Sequence, residues 1–305
     1  MIQFHSLSRI WRDPQANALY NVLRQSPEPA TMLGRVRNCV LKLAGPATIA
    51  LALAVTSMAA PKPSIMAVFA HPDDETSAGP LLARYARLGH KVYLVTITSG
   101  QLGTNPNTTL RGDALGTARE EETRCAANGL GIEPPVLLRY FDQGISAPPV
   151  MEEIAAKLRE LIDRLRPEVL ITWGPDGLTG HQDHRATGNI VSQVFQQHGK
   201  LTFRPSRLYY VAWPESVLAA APPPFNGPGF GRAVADDLIT TAIDCAKDTP
   251  AAYKAISCHK TQWDSATMKH FDEMNVKVLA GKIYLREAYA AKRGNRKEPD
   301  LFPRR

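Results

Sequence analysis

The residues with chemistry to offer lie in two short clusters. Ala70 to Glu75 reads A-H-P-D-D-E and follows the apolar run Ile65 to Phe69. Gly180 to His184 reads G-H-Q-D-H, more than a hundred residues downstream, and follows the apolar run Val169 to Trp173. His71 and Asp74 are three residues apart, so a helical turn there projects both side chains to one side. An imidazole and a carboxylate so placed suit Zn²⁺, and His184 would supply a third ligand. A catalytic zinc keeps one position open, where bound water becomes acidic enough to ionise near neutral pH. Asp73, beside the ligands but pointing elsewhere, is placed to take that water's proton as general base. A protonated His181 would help stabilise charge on an attacked amide carbonyl and pass a proton to the leaving amine. The same donors also admit Fe²⁺, Co²⁺ or Ni²⁺. Taken singly, each cluster also reads as a polar turn with an aspartate N-cap, or as cap and surface histidines.

Such clusters need strands to hold them at one edge. Short apolar, β-branched runs recur at Ile65 to Phe69, Val92 to Thr98, Val136 to Phe141, Val169 to Trp173, Leu208 to Ala212 and Leu238 to Ile243. Amphipathic helix patterns fall between most of them, at Leu81 to Leu88, Thr117 to Asn128, Met151 to Leu165 and Ala186 to Gln197. This alternation predicts an α/β, Rossmann-like three-layer fold with a mainly parallel sheet. Ala251 to Tyr289 reads as a helical C-terminal part. Ligands of such sheets bind outside the carboxyl ends of the strands. Both clusters, and Asp142 after the third run, fall on that edge. No G-x-G-x-x-G follows the first strand, which argues against a dinucleotide site.

The chain has 305 residues, 44% hydrophobic and 21% charged, an ordinary globular balance. Its net charge of +7 is carried by residues 1–60 and 292–305, each with six Lys/Arg against two Asp/Glu, which leaves the body near neutral. A nucleic-acid partner is not expected of such a body. Residues 43–60 carry no charge and follow Arg35, Arg37 and Lys42. With Ser57 and Ala59 at the −3 and −1 places they read as a signal peptide, so residues 1–60 form a leader and the exported product has no stable membrane insertion. A start at Met32 would give that leader an ordinary length. An uncleaved anchor helix and a buried helix remain open readings of the same stretch. The mature domain is expected over 61–291, with the Pro/Gly-rich stretch Ala221 to Gly231 as a loop and a basic, fraying tail over 292–305. The four cysteines show no C-x-x-C spacing. Cys125 reads as a small buried hydrophobe, and a Cys245–Cys258 disulfide would require export.

The paired motifs A-H-P-D-D-E and G-H-x-D-H resemble the PIG-L/LmbE family of metal-dependent N-deacetylases, which act chiefly on N-acetylglucosaminyl compounds. The likeness runs in order from Ile65 to Gln262. It implies zinc on His71, Asp74 and His184, Asp73 as base and His181 at the oxyanion. Ser99 to Gly103 is similar to the family's S-G-E-x-G loop. Arg119 and Glu122 are similar to its R-x-x-E helix, whose arginine contacts the sugar. Asp142 matches a substrate-binding aspartate, and His259 with Gln262 a terminal H-x-S-Q element. Gln101, Gln182 and Thr261 depart from the commoner acid, proline and serine. Thr179 stands where some actinobacterial relatives carry a tyrosine. The resemblance implies removal of an N-acetyl group from an amino sugar or glycan, with an amidase acting on another acyl or conjugate substrate and a sugar-binding relative without turnover as the alternative readings.

Overall fold

The structure is a computed structural model, and the residues it describes are 62–103, 107–222, 231–290 and 300–302. They belong to one compact unit, Lys62–Arg305. The expected leader over 1–60, residues 223–230 of the Pro/Gly-rich stretch, and most of the basic tail lie outside the described residues.

Five strands alternate with helices. They are β1 (Ile65–Phe69), α1 (Gly79–Arg87), β2 (Val92–Thr98), α2 (Gly112–Leu130), β3 (Val136–Tyr140), α3 (Pro148–Leu165), β4 (Val169–Trp173), α4 (Gln182–Gln196) and β5 (Arg207–Val211). A helix between consecutive strands returns the chain to the same end of the sheet, so β1 to β5 pair in parallel. The strand order is β3-β2-β1-β4-β5, continued by two later antiparallel strands, β9 (Lys282–Ala290) and then β8 (Thr241–Asp244) at the edge, while β6 (Trp213–Pro214) and β7 (Ala233–Val234), between which α5 (Glu215–Ala219) falls in sequence, pair as a separate two-stranded sheet. All five residues of β1 are buried, as a central parallel strand covered on both faces must be. Ile65, Ala67 and Phe69 pack with Leu81 and Leu82 of α1, Ala126 and Leu130 of α2, and Ala252 of α6 (Thr249–Ile256). Met66 and Val68 face the other way, onto Ile154 and Leu158 of α3 and Ile190 and Val194 of α4. The order reverses at β1, between β2 and β4, and a crevice opens at the carboxyl ends of strands that diverge in this way. Gly188 lets α4 seat on β4, since a Cβ there would lie 2.5 Å from the Trp173 carbonyl oxygen.

Three expectations are corrected. The segment 282–290 is strand, not helix: Ile283 and Leu285 are buried while Tyr284 and Arg286 are less so, the period of two that a strand imposes. Its Lys, Arg, Glu and Ala content favours helix, and pairing with β5 and β8 overrides that preference. The disulfide joins Cys125 of α2 to Cys258, just beyond α6, leaving Cys245 as the free thiol. α2 and α6 pack together, whereas Cys245 is enclosed after β8, and burial pushes its thiol up to about 12. The tail docks where it is described. Tyr85 Oη donates to Asp300 Oδ1 at 2.7 Å, Leu301 is fully buried, and the Phe302 ring stacks on His90. Among the described residues no helix is long and apolar enough to cross a membrane.

Candidate metal centre and active site

The loops after β1 and β4 meet at the point where the strand order reverses. Beyond β1 the chain passes through Asp73, held at φ +92°, into a short 3₁₀ turn, Asp74–Ser77. Asp73 stands at the N-cap of that turn but its side chain makes no capping hydrogen bond, so the carboxylate is left for other work. Asp74 Oδ2 accepts the backbone N–H groups of Ala70 and His71 at 3.0 and 2.8 Å. Its Oδ1 lies 3.1 Å from His184 Nε2, and Oδ2 lies 3.5 Å from His71 Nδ1.

The outer partners of the two histidines decide which ring nitrogens are available. His184 Nδ1 is 3.0 Å from the Gly177 carbonyl oxygen, which can only accept, so Nδ1 carries hydrogen and Nε2 faces Asp74 with a lone pair when the ring is neutral. His71 Nε2 lies 3.2 Å from Asp142 Oδ1 and 3.3 Å from Asp183 Oδ2. Two carboxylates likewise require hydrogen at Nε2 and turn the Nδ1 lone pair toward Asp74. Metal-binding histidines are oriented in this way, by a carboxylate or carbonyl on the far nitrogen. Two lone pairs aimed at a carboxylate repel unless a cation lies between them. Burial alone would lower both imidazole pKa values, yet the Asp74 carboxylate holds His71 well above and His184 above the ordinary value. The site thus demands positive charge, and a divalent ion satisfies it. The separations match a common ion, since donors about 2.1 Å from a tetrahedral zinc lie roughly 3.4 Å from each other. The residues fit the metal.

The nitrogens of His71, His181 and His184 also lie within 4.8 Å of one another, so His181 borders the same space. His181 caps α4, its Nδ1 accepting the Asp183 backbone N–H at 3.2 Å. That bond leaves a neutral ring with hydrogen on Nε2, and burial followed by the neighbouring imidazoles keeps its pKa below the ordinary value. Where the sequence suggested an imidazolium, the hydrogen bond from the Asp183 N–H leaves the neutral ring with Nε2–H as its donor.

Asp73 is the other perturbed group. Burial pushes its carboxyl up to about 6, against the opposing pull of Arg119. Arg119, almost wholly buried, donates to Gly100 O and Pro72 O at 2.9 Å each and reaches Asp73 Oδ1 at 3.4 Å. Gly100 is required for this approach, because a Cβ there would fall 2.4 Å from the guanidinium. Arg119 does not pair with Glu122, whose carboxylate instead accepts the N–H and hydroxyl of Thr261 at 2.8 and 2.7 Å. His71, Asp73, Asp74, Arg119, Asp142, His181 and His184 all line one cavity of about 660 Å³.

Sequence reasoning missed three contributors. Asp183, fully buried, orients His71 and accepts the Gln143 N–H at 2.7 Å. Glu75 accepts the Asp73 N–H at 3.2 Å and pairs with the buried His259 Nε2 at 2.6 Å. Trp173 stacks on the His184 ring at 4.7 Å. Asp183 and Glu75 stand inside the two motifs, and a signal for them was there: acidic residues flanking ligands need partners when buried.

Fold and site together define a metal-dependent hydrolase built on a Rossmann-like sheet. The PIG-L family, described as GlcNAc-PI de-N-acetylase, matches residues 66–195, and the chain belongs to it. It is 31% identical to a 1D-myo-inositol 2-acetamido-2-deoxy-alpha-D-glucopyranoside deacetylase of Salinispora arenicola, over 66% of this chain and 77% of that one. It is 31% identical to a second deacetylase of that description from Catenulispora acidiphila, over 74% and 88%. Among solved structures, N,N'-diacetylchitobiose deacetylase of Pyrococcus horikoshii shares the fold at TM-score 0.56 and 17% identity, over 90% of this chain and 92% of that one. GalB, the 4-carboxy-2-hydroxymuconate hydratase of Pseudomonas putida, shares it at TM-score 0.58 and 17% identity, over 77% and 99%. One sheet thus hosts more than one chemistry, and the site must decide.

Proposed function

We propose that this protein is a zinc-dependent N-deacetylase that hydrolyses the N-acetyl group of an N-acetylglucosamine-type amino sugar or glycoconjugate, releasing acetate and a free amine. The observation that carries the reading is the pair of histidine lone pairs turned onto Asp74 beside a carboxylate, Asp73, that no cap consumes. His71, Asp74 and His184 would hold the ion. When bound, it would acidify a water and polarise the acetyl carbonyl. Asp73 takes the proton from the attacking water and returns it to the amine nitrogen as the C–N bond breaks, and Arg119 and the Glu75 contact to its backbone keep it in place. His181 Nε2–H donates to the carbonyl oxygen as negative charge grows there. Asp142 and Arg119, at the cavity wall, are the substrate contacts in this reading.

Export is part of the proposal. Its supports are the uncharged stretch 43–60 behind a basic leader and the Cys125–Cys258 disulfide, a bond that persists in oxidising compartments. N-terminal sequencing of protein from outside the cytoplasm checks it, with a start near Ala60 expected. The catalytic claim is tested by metal analysis of purified protein together with acetate release across N-acetylated sugars. One equivalent of divalent metal and metal-dependent acetate release are expected. Release from no N-acetyl sugar by the metal-loaded protein refutes it.

A further inference from the structure

A general base is only as good as the structure that aims it, and Asp73 is held from two sides. Its backbone stands at φ +92°, a conformation that an L side chain keeps only where its surroundings impose it. Arg119 holds the carboxylate, reaching Oδ1 at 3.4 Å. The backbone is held by Thr76, whose N–H donates to the Asp73 carbonyl oxygen at 3.0 Å, and by Glu75, whose Oε2 accepts the Asp73 N–H at 3.2 Å. Glu75 is a long side chain, so this last bond is as firm as whatever fixes Glu75. Its other oxygen, Oε1, lies 2.6 Å from His259 Nε2. Glu75 is 1% exposed and His259 0%. With the imidazole in place both carboxylate oxygens are committed, and the group cannot turn away from the Asp73 N–H. Without it, Oε1 would be left buried and unpaired, which is costly.

The ring of His259 does little else. Its Nδ1 is buried and meets no hydrogen-bond partner among the described residues, so the whole imidazole serves one bond, and a buried polar atom left unpaired calls for a reason. Neither Glu75 nor His259 is among the residues lining the cavity, so Asp73 is their route to the reaction. His259 is itself pinned. Its N–H donates to the Ile256 carbonyl oxygen at 3.0 Å, and its own carbonyl oxygen accepts the N–H groups of Gln262 and Trp263 at 3.1 and 2.9 Å. On one side Cys258 is bonded to Cys125; on the other Thr261 donates twice to Glu122. Arg119, Glu122 and Cys125 recur at every third position of α2 and so follow one side of it. A single helix thus fixes the Asp73 carboxylate directly, through Arg119, and its backbone at one remove, through the segment 258–261.

We propose that His259 is a positioning residue of the deacetylation, acting through Glu75 to hold the Asp73 backbone in the conformation that presents the base to the attacking water. The inference rests on the deacetylase reading and deepens it. The role requires a donor at the place of Nε2. A glutamine amide nitrogen reaches that place and an asparagine amide falls short of it, so the two variants separate the bond from the bulk. They are compared in the zinc-loaded full chain, on the N-acetylated sugar that the parent hydrolyses fastest. His259→Asn and His259→Leu are expected to lower kcat by about 10–100-fold with KM within about twofold, and His259→Gln to stay within about threefold of the parent. Adding Glu75→Gln to His259→Asn should lower kcat hardly further than the larger single effect, because members of one chain are not additive. Amide hydrogen exchange makes the comparison without turnover. The Asp73 N–H should exchange faster, relative to that of the buried Val68, in His259→Asn and His259→Leu but not in His259→Gln. Should His259→Leu fail to fold, the asparagine and glutamine variants carry the comparison. An equal fall of kcat in every variant, parent-like kcat in His259→Asn, a rise of KM in place of the fall in kcat, or fully additive effects with Glu75→Gln each overturn the role while leaving the deacetylase standing. Acetate release by the parent from no N-acetyl sugar overturns the deacetylase, and the exchange ratio then decides the role of His259: unchanged, it overturns that as well.

Discussion

Asp73 concentrates the chemistry and bears a cost for it. A buried carboxyl near 6 is mostly ionised at neutral pH yet basic enough to accept a proton, the compromise general-base catalysis favours. Activity is therefore expected to fall on the acid side, with a limb at or below about pH 6 because a bound cation draws the value down. Asp73→Asn should lower kcat by about 10²–10⁴-fold without loss of metal, measured by acetate release and metal content on the same sample. Full activity in that variant would remove Asp73 from the mechanism. The sign for stability is opposite. Because the folded value lies above the unfolded one, Asp73's contribution is intact below about pH 4 and is lost as pH rises through about 6. In the metal-free protein Asp73→Asn should then be the more stable form at pH 7.5, by up to about 3 kcal/mol, with the gap closing in acid. Urea midpoints at the two pH values decide the matter.

At the scale of elements, the short segment after α6 ties the C-terminal part to the catalytic loops. Cys258 is bonded to α2, His259 holds Glu75 and through it the Asp73 backbone, and Thr261 is held by Glu122. The disulfide closes a loop of 133 residues, and its loss should cost about 2–4 kcal/mol. Cys258→Ser is expected to unfold at lower urea than the parent, and reductant should lower the parent to the same midpoint. A reductant with no effect on the parent would mean that the bond does not form. Glu75→Gln keeps a group of the same shape but loses the charge that faces His259. It should lower kcat more than it raises KM, because the base is displaced while the sugar contacts remain.

For the whole molecule, one ion would join the loops that follow the neighbouring strands β1 and β4, more than a hundred residues apart along the chain. Binding confined to the folded state stabilises it by mass action, about 2.7 kcal/mol at a hundredfold excess over Kd. Chelation should accordingly lower Tm and abolish acetate release together, and zinc should restore both. Activity that survives complete removal of the metal would end the hydrolytic reading. An unchanged Tm would place the ion elsewhere than between the two loops.

The strand-helix alternation and the two motifs were legible from the order of residues, because apolar period and ligand spacing are local properties of a chain. Five of the strands and four of the helices stand within a few residues of where their patterns predict them, and His71, Asp74 and His184 do meet. Tertiary structure alone decided the rest, for reasons of distance along the chain. Pairing with β5 and β8 made a strand of 282–290 against its helical composition, the packing of α6 on α2 chose Cys125 as the partner of Cys258, and carboxylates from Asp142 and Asp183 set the His71 tautomer. Each of these depends on which surfaces the fold presses together, and no window along the sequence contains both sides of such a contact.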